Sequence, residues 1–407
     1  FSAIADNWCP LVVDSSAERL MVQGFRFGLE QSADDEAWAI WQANGLDAQA
    51  NMAHTEAIKL GESYWLVEPP PRGSSDPPRI TAEHPSQVIV AHEPGDRRRR
   101  LAALKKWTDD DGFAYANLYL PQVTLKYRSQ QKLAATGGRV SGRINWTTRT
   151  DDPGGENRLG EVPVIVLPNA PGMLRGGRSD LKSGIPIFDA LNKLLSDMMI
   201  GSEYQAFPQR VLLGVEVPKD PVTGQPARAA ELQASQSRLW TFSSPDAKVA
   251  EFNAADLNNY VVAREHLVRH LTAQTKMPPH YVSGQIVNAA AAALKAAETG
   301  LISKVRDKMP AFEEGHEDMM RLAFRALGNE RRGSETQAEL IWRDPESRSF
   351  GELIDGLVKL RTLGVPLEVL WERAGFSPQE IQRMTKLAGL PDRPDVDALP
   401  TFEPPGS

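Results

Sequence analysis

Two stretches with apolar residues at three-to-four spacing, set about fifty residues apart, constrain this chain more than any other feature. The first opens at Gly184-Ile185-Pro186, which places a proline in the first turn of a helix. Ile187/Phe188, Leu191, Leu194/Leu195 and Met198/Met199 then keep one face apolar to about Ala206, ahead of Pro208. At 1.5 Å per residue this predicts a rod of roughly 30 Å. The second stretch opens at Asp256, an N-cap residue type, carries Leu257, Tyr260/Val261, Leu267/Val268 and Leu271, and stops before Pro278-Pro279. Between them, Val211–Val217, Arg238–Phe242 and Ala247–Phe252 read as short strands, with a turn-rich tip from Pro218 to Gly224. The helices are too long for one small core, so their apolar faces need partners. Copies of the same chain in a heterologous, ring-closing arrangement supply them. A helical hairpin packed inside a monomer satisfies the same pattern.

The flanking regions differ in character. Residues 1–65 read as largely helical, through Trp38, Ile40, Trp41, Leu46, Met52 and an Ala-rich run ending at Gly61. From Ser63 to about Arg149 the pattern turns to strands, including Tyr64–Val67 and Gln87–Val90. Asp109-Asp110-Asp111-Gly112, between Lys105-Lys106-Trp107 and Ala114–Tyr119, is a hairpin signal because the turn requires positive φ. Four arginines, 97–100, precede it and are expected on a solvated face. Residues 150–184 read as linker interrupted by the strand Val162–Leu167. After a loop from His280 to Asn288, a helical pattern continues for about 40 residues to Leu327, with Pro310 inside it. Proline removes a backbone donor and clashes with the preceding turn, so a kink or break is expected near 306–312. A strand, Ala338–Trp342, leads to three short helices, the last opened by the capping box Ser377-Pro378-Gln379-Glu380. The acidic, Pro-rich segment from Pro391 is expected to be disordered.

Catalytic chemistry is hard to find. Gly137-Gly138-Arg139-Val140-Ser141-Gly142 has neither the spacing nor the Lys-Ser/Thr ending of a phosphate-cradling loop, and no Gly-x-Ser-x-Gly elbow occurs. No catalytic residue and no cofactor are expected. His266 and His270 share a helical face but lack a third ligand, so no metal site is expected. Glu313, Glu314, Glu317 and Asp318, near Arg321 and Arg325, read as a solvated or salt-bridged face. The single cysteine, Cys9, rules out an internal disulfide framework. No run approaches the roughly 18 apolar residues of a membrane span, so no membrane partner is expected. A net charge of −7 argues against a protein that grips nucleic acid, yet suits one that lets the polymer slide.

The order of parts resembles the portal, or head–tail connector, family of tailed double-stranded DNA bacteriophages, of the long-tailed type. Asn7-Trp8-Cys9-Pro10-Leu11-Val12-Val13-Asp14, with Glu18-Arg19-Leu20 and Gly24-Phe25, is similar to the start of that family's wing. Ala206-Phe207-Pro208-Gln209-Arg210 resembles its passage from stem to clip, and Met277-Pro278-Pro279-His280-Tyr281 its passage from stem to tunnel loop. Ala293–Glu298 with Leu301 and Lys304 resembles the start of the tunnel helix. Trp342-Arg343-Asp344-Pro345, followed by Gly364-Val365-Pro366, resembles the approach to the crown. The helical stretch expected upstream of Asn7 is missing and the crown is short, so contacts made by either in relatives do not transfer.

The resemblance implies a ring-forming α+β portal fold. Its wing would span 1–184, stem helices 185–206 and 256–276, and the clip 207–255. A tunnel loop, kinked long helix and wing return would occupy 277–349, the crown 350–390, and a disordered tail 391–407. It also implies a ring of 12 subunits at one capsid vertex in the virion, assembled in the host cytoplasm. Double-stranded DNA would pass through non-specifically, with terminase, head-completion or adaptor proteins and the major capsid protein as partners. On this reading Leu191, Leu195, Leu257 and Val261 pack subunits in the stem. The uncharged Ser283, Gly284, Gln285 and Asn288 form a low-friction channel lining, and Lys219 and Asp220 lie on an exposed docking tip of the clip. A non-viral oligomeric helical scaffold, or an enzyme with a dispersed site, remain the competing readings.

Overall fold

The computed structural model describes residues 6–28, 33–133, 144–173, 176–206, 210–213, 248–251, 257–283, 291–346 and 350–388. The chain divides into two compact units, a smaller one built on Pro186–Leu271 and a larger one built on Trp8–Ile185 with the residues from Thr272 onward.

In the larger unit, α1 (Cys9–Ala17), β1 (Val22–Phe27), α2 (Asp35–Ala43) and α3 (Leu46–Leu60) come first. Asp34 caps α2 by accepting from the Ala37 backbone N–H at 2.8 Å. Within 1–65, where three helices fit the largely helical reading, the exception to it is β1. Its residues pair antiparallel with a strand more than 300 positions away, Phe25 opposite Leu340, and Gly24 obscures the local alternation. Next come β2 (Glu62–Glu68), β3 (Arg79–Glu83), β4 (Val88–Glu93), β5 (Asp96–Thr108), β6 (Ala114–Tyr119), β7 (Val123–Ser129), β8 (Trp146–Thr148), β9 (Gly154–Glu156) and β10 (Val164–Pro168). One sheet has the order β10-β2-β3. A second runs β4-β5-β6-β7-β8, with β9 also on β7. The hairpin expected at Asp109–Gly112 joins β5 to β6. Gly112 has φ +87° there, and the Asp109 carboxylate accepts from the Phe113 N–H at 2.8 Å.

Strand β2 shows how alternation organises this unit. All five residues Ser63–Val67 are buried. Trp65 and Val67 point into the main helical core, whereas Tyr64 and Leu66 join Val88, Ala103, Tyr119, Val162 and Val164 in a second cluster. With a side-chain period of two, one strand serves two cores.

The smaller unit contains α4 (Ile185–Ala206, from Pro186 on), β11 (Arg210–Leu213), β12 (Lys248–Glu251) and most of α5 (Asn258–Thr275). β11 and β12 pair antiparallel, Arg210 opposite Glu251. The sequence-predicted bounds of α4 hold to the residue. Asp256 lies outside the described residues, as does the predicted strand at 238–242.

The larger unit resumes with α6 (Pro279–Ser283), α7 (Ala291–Ala326), α8 (Glu330–Gly333) and β13 (Ala338–Trp342), the partner of β1. The His280–Asn288 segment thus begins as a short helix rather than a loop. The expected interruption near Pro310 is not a break, since α7 runs on as one 36-residue helix with Pro310 inside. Proline in a helix interior costs about 3 kcal/mol. Leu301 and Val305 before it, and Phe312, Met319, Met320 and Phe324 after it, all lie in the main core and outweigh that loss. Last come α9 (Phe350–Thr362), α10 (Leu367–Arg373) and α11 (Pro378–Ala388). The predicted capping box opens α11, with the Ser377 N–H donating to the Glu380 carboxylate at 2.8 Å.

Candidate channel segment and subunit-facing helices

The stem residues fall along a gradient of exposure. Leu191 on α4 is buried, Leu195 and Leu257 are half-buried, and Val261 on α5 is 46% exposed. Val262 and Ile200 are open to a similar degree. Within this unit the two helices approach closely at one point, where a Cβ on Gly201 would lie 3.4 Å from Leu257 Cδ2. Arg264 on α5 pairs with Asp6 at 2.8 Å, and the Asp6 N–H donates to Asn192 on α4, also at 2.8 Å. The helices are therefore tied together while branched apolar side chains on them stay open.

Ser283 is the last residue of α6. Gly284, Gln285 and Asn288 of the expected channel lining lie outside the described residues, as do Lys219 and Asp220 of the clip tip. What the structure does show is how α6 is fastened to α7. Arg19, just after α1, donates through Nη2 to the Tyr281 hydroxyl at 2.8 Å and through Nη1 to the Pro345 carbonyl at 3.0 Å. Tyr281 donates in turn to Glu298 on α7 at 3.4 Å, and Arg19 lies 3.7 Å from the other oxygen of that carboxylate. The two helices are thereby joined by one guanidinium, one phenol and one carboxylate.

Charged groups expected on the surface prove partly interior. Arg98 and Arg99 are exposed, as the arginine run predicts. Arg100, by contrast, is half-buried, its side chain only 9% exposed between Glu161 at 2.7 Å and Asp318 at 3.3 Å. Glu161 also receives Arg325. In the acidic group on α7, Asp318 pairs with Arg321 at 2.6 Å, and Glu313 accepts from the Leu340 N–H at 3.2 Å. Glu317 is buried. Burial, aided by Glu313 and Glu314 and opposed by Arg321, pushes its carboxyl up to about 7. Glu317 also pairs with Arg321 at 3.4 Å, so of the two expectations the salt-bridged one holds at this residue and the solvated one does not, because the helix turns it inward.

His266 and His270 are both exposed on α5, and among the described residues no group of three or more ligand-type side chains could hold a metal ion. The histidines of structural interest are instead His54 on α3 and His316 on α7. Both are fully buried, with Nε2 atoms 2.8 Å apart in a box of Trp41, Trp65, Phe312 and Trp342. One imidazole donates and the other accepts. Burial lowers His54 to about 4 and lowers His316 well below its ordinary value, with His54 adding to the effect on His316, so both are neutral at pH 7. No local pattern signals this pair, because the partners are 262 residues apart. Tyr281, Arg19 and Glu298 each lie within one of the family-like phrases, yet nothing in the sequence marks them as partners of one another.

The geometry describes long helices with open apolar side chains, a short helix fastened to α7, and no assembled catalytic group among the described residues. Comparison with known proteins gives it a family. A model described as phage portal protein, SPP1 Gp6-like, matches residues 3–387. The chain belongs to that family. Portal proteins of Mycobacterium phages D29 and L5 are 33% and 32% identical to it over 398 and 399 residues, covering 92% of this chain and 77% of each relative. A chain in the neck of a native GTA particle, computed with C12 symmetry, superposes with a TM-score of 0.50 at 12% identity, covering 90% of this portal chain and 88% of that one. At such low identity the likeness concerns the fold, which is the α+β portal fold. This protein is thus a phage portal subunit, a structural component of the head–tail connector. Among its described residues no helix is long and apolar enough to cross a membrane.

Proposed function

We propose that this portal subunit assembles with identical copies, twelve in all, into a ring at one capsid vertex of the virion. Double-stranded DNA is packaged and ejected through that ring. The observation that carries this reading is the exposure of Ile200, Val261 and Val262 on two helices already braced to each other. Exposed branched apolar side chains gain about 25 cal/mol per Å² on leaving water, and a neighbouring copy is the partner that a closed symmetric assembly supplies. The role is mechanical, with terminase, adaptor or head-completion proteins and the major capsid protein docking on the ring. Assembly takes place in the host cytoplasm. Gly284, Gln285 and Asn288, with Ser283, form an uncharged lining over which DNA slides. Lys219 and Asp220 lie on the edge that meets a docking partner, and the α7 axis bends at Pro310.

Negative-stain imaging and native mass spectrometry test the assembly. The wild-type chain should give twelve-fold rings with a central hole. Val261→Glu with Val262→Glu should give a folded monomer with an unchanged circular-dichroism spectrum, since both residues are exposed in the single chain. Rings that persist in the double variant would overturn the assignment of these residues to the subunit contact.

A further inference from the structure

Two of the three places where the chain passes between its two compact units adjoin one buried charged knot. The larger unit gives way to the smaller at Ile185/Pro186 and resumes at Leu271/Thr272. Asp180 lies just before the first crossing, and Thr275, in the last turn of α5, just after the second. Lys304 on α7 reaches both, with Nζ 2.7 Å from Asp180 Oδ2 and 3.1 Å from the Thr275 carbonyl. Lys308, one turn further on, donates to Asp180 Oδ1 at 2.7 Å and to Asn169 Oδ1 at 2.6 Å. The Asn169 amide closes the circuit by donating to the Arg178 carbonyl at 2.6 Å and to Asp180 Oδ1 at 2.8 Å. The side chains of Lys308, Asp180 and Lys304 are only 4%, 7% and 12% exposed.

Stability alone does not explain such a group. Removing each ion from water costs several kcal/mol, and well-packed apolar residues of similar volume often serve a fold as well or better. What the ions provide, and apolar side chains would not, is directional bonding that holds separate segments at set distances. We infer that Asp180, Lys304 and Lys308 are positioning residues. They form a cross-brace that, within the larger unit, fixes the segment leading into α4 and the last turn of α5 relative to each other. This rests on the portal reading, in which those helices are the stem of the ring.

Hydrogen exchange on the full-length chain tests it. The reporter amides are those of Gly184 and Ile185, bonded to the Leu181 carbonyl, and that of Met277, bonded to the Thr272 carbonyl. In Lys304→Met, exchange at these three should quicken about tenfold, while amides of the β2–β10 pairing keep their wild-type rates. Lys304→Arg, which retains charge and donors, should restore protection. A combined Asp180→Leu, Lys304→Met, Lys308→Met variant should recover the wild-type thermal midpoint without recovering junction protection. Unchanged exchange in Lys304→Met, loosening spread equally over β2–β10, or recovery of junction protection in the apolar triple variant would each overturn the brace. If Lys304→Met fails to fold, Asp180→Asn, close to isosteric, is read by the same outcomes. Negative-stain images taken alongside separate the two claims. A wild-type chain that forms no ring sinks the portal assembly and leaves the exchange result to be judged separately.

Discussion

At the scale of single residues, the interior of the larger unit carries two opposed responses to pH. His54 is held near 4, and burial holds His316 well below its ordinary value, against about 6.5 in an unfolded chain. Below 6.5 the unfolded chain therefore binds protons that the folded chain refuses. The stability His54 contributes is complete above 6.5 and falls, by about 1.4 kcal/mol per pH unit, as pH drops toward 4, and His316 acts in the same direction. Glu317 has the opposite sign. Its pKa is raised from 4.5 to about 7, so its contribution is complete below 4.5 and lost as pH rises through 7. Because it still meets water and Arg321, that loss is on the order of 1–2 kcal/mol. Asp180 lies outside this window. The two lysines outweigh the burial that opposes them and hold its carboxyl below the ordinary range, so its contribution fades only in stronger acid. Two outcomes follow for thermal midpoints measured between pH 4.5 and 8. Replacing both histidines by leucine should flatten the acid limb, whereas a single replacement leaves one imidazole unpaired and destabilises at every pH. Glu317→Gln should raise the midpoint at pH 8 and leave it nearly unchanged at pH 4.5. None of these residues was legible in the sequence as a site. His54 sits in an Ala-rich helix and Glu317 in a run of carboxylates, and only the fold reveals that both face inward.

At the scale of elements, legibility followed locality. The bounds of α4, the β5–β6 hairpin and the capping box of α11 rest on spacing and turn chemistry within a few residues, and the sequence carries them in full. The β1–β13 pairing rests on a partner at the far end of the chain, and no local pattern betrays it. The continuity of α7 lies between these cases. Its period was visible, but the packing that overrides Pro310 was not. Two glycines within α7, Gly300 and Gly315, differ sharply in surroundings. A Cβ on Gly315 would lie 2.6 Å from Leu167 Cδ1 and 3.3 Å from the Val166 carbonyl, so the helix approaches β10 because nothing projects there. Leu167 is fully buried and has no room to yield. Gly315→Ala should therefore lower stability by roughly 1–3 kcal/mol despite the better helix former. At Gly300 the nearest atom is 3.9 Å away and the position is exposed. Gly300→Ala should raise stability by about 0.5–1 kcal/mol. Denaturant titration of both variants checks the pair, and equal effects would show that propensity rather than contact governs α7.

At the scale of the whole molecule, the family was legible because the order of parts survives where individual phrases are weak. The proposed channel lining was legible only as chemistry, through the uncharged residues Ser283, Gly284, Gln285 and Asn288. Charge is the property that would act over the whole proposed assembly. Each chain carries −7, so the proposed ring would repel DNA at long range, and duplex passing through it would meet weak contacts and no electrostatic trap. Fluorescence anisotropy with a short labelled duplex should show negligible binding to wild-type rings at 50 mM salt and no change at 200 mM. Gln285→Arg with Asn288→Arg would set two cations per subunit around the hole. A protein that neutralises several phosphates loses about three orders of magnitude in affinity across that salt range, so the double variant should bind duplex at 50 mM and release it at 200 mM. It should also slow or stall packaging, because a polymer that must release condensed contacts at every step no longer slides. Passage at the wild-type rate through rings that bind DNA in this salt-dependent way would separate grip from friction, and the uncharged lining would then need another explanation. Double-variant rings that bind no duplex would place these residues away from the hole.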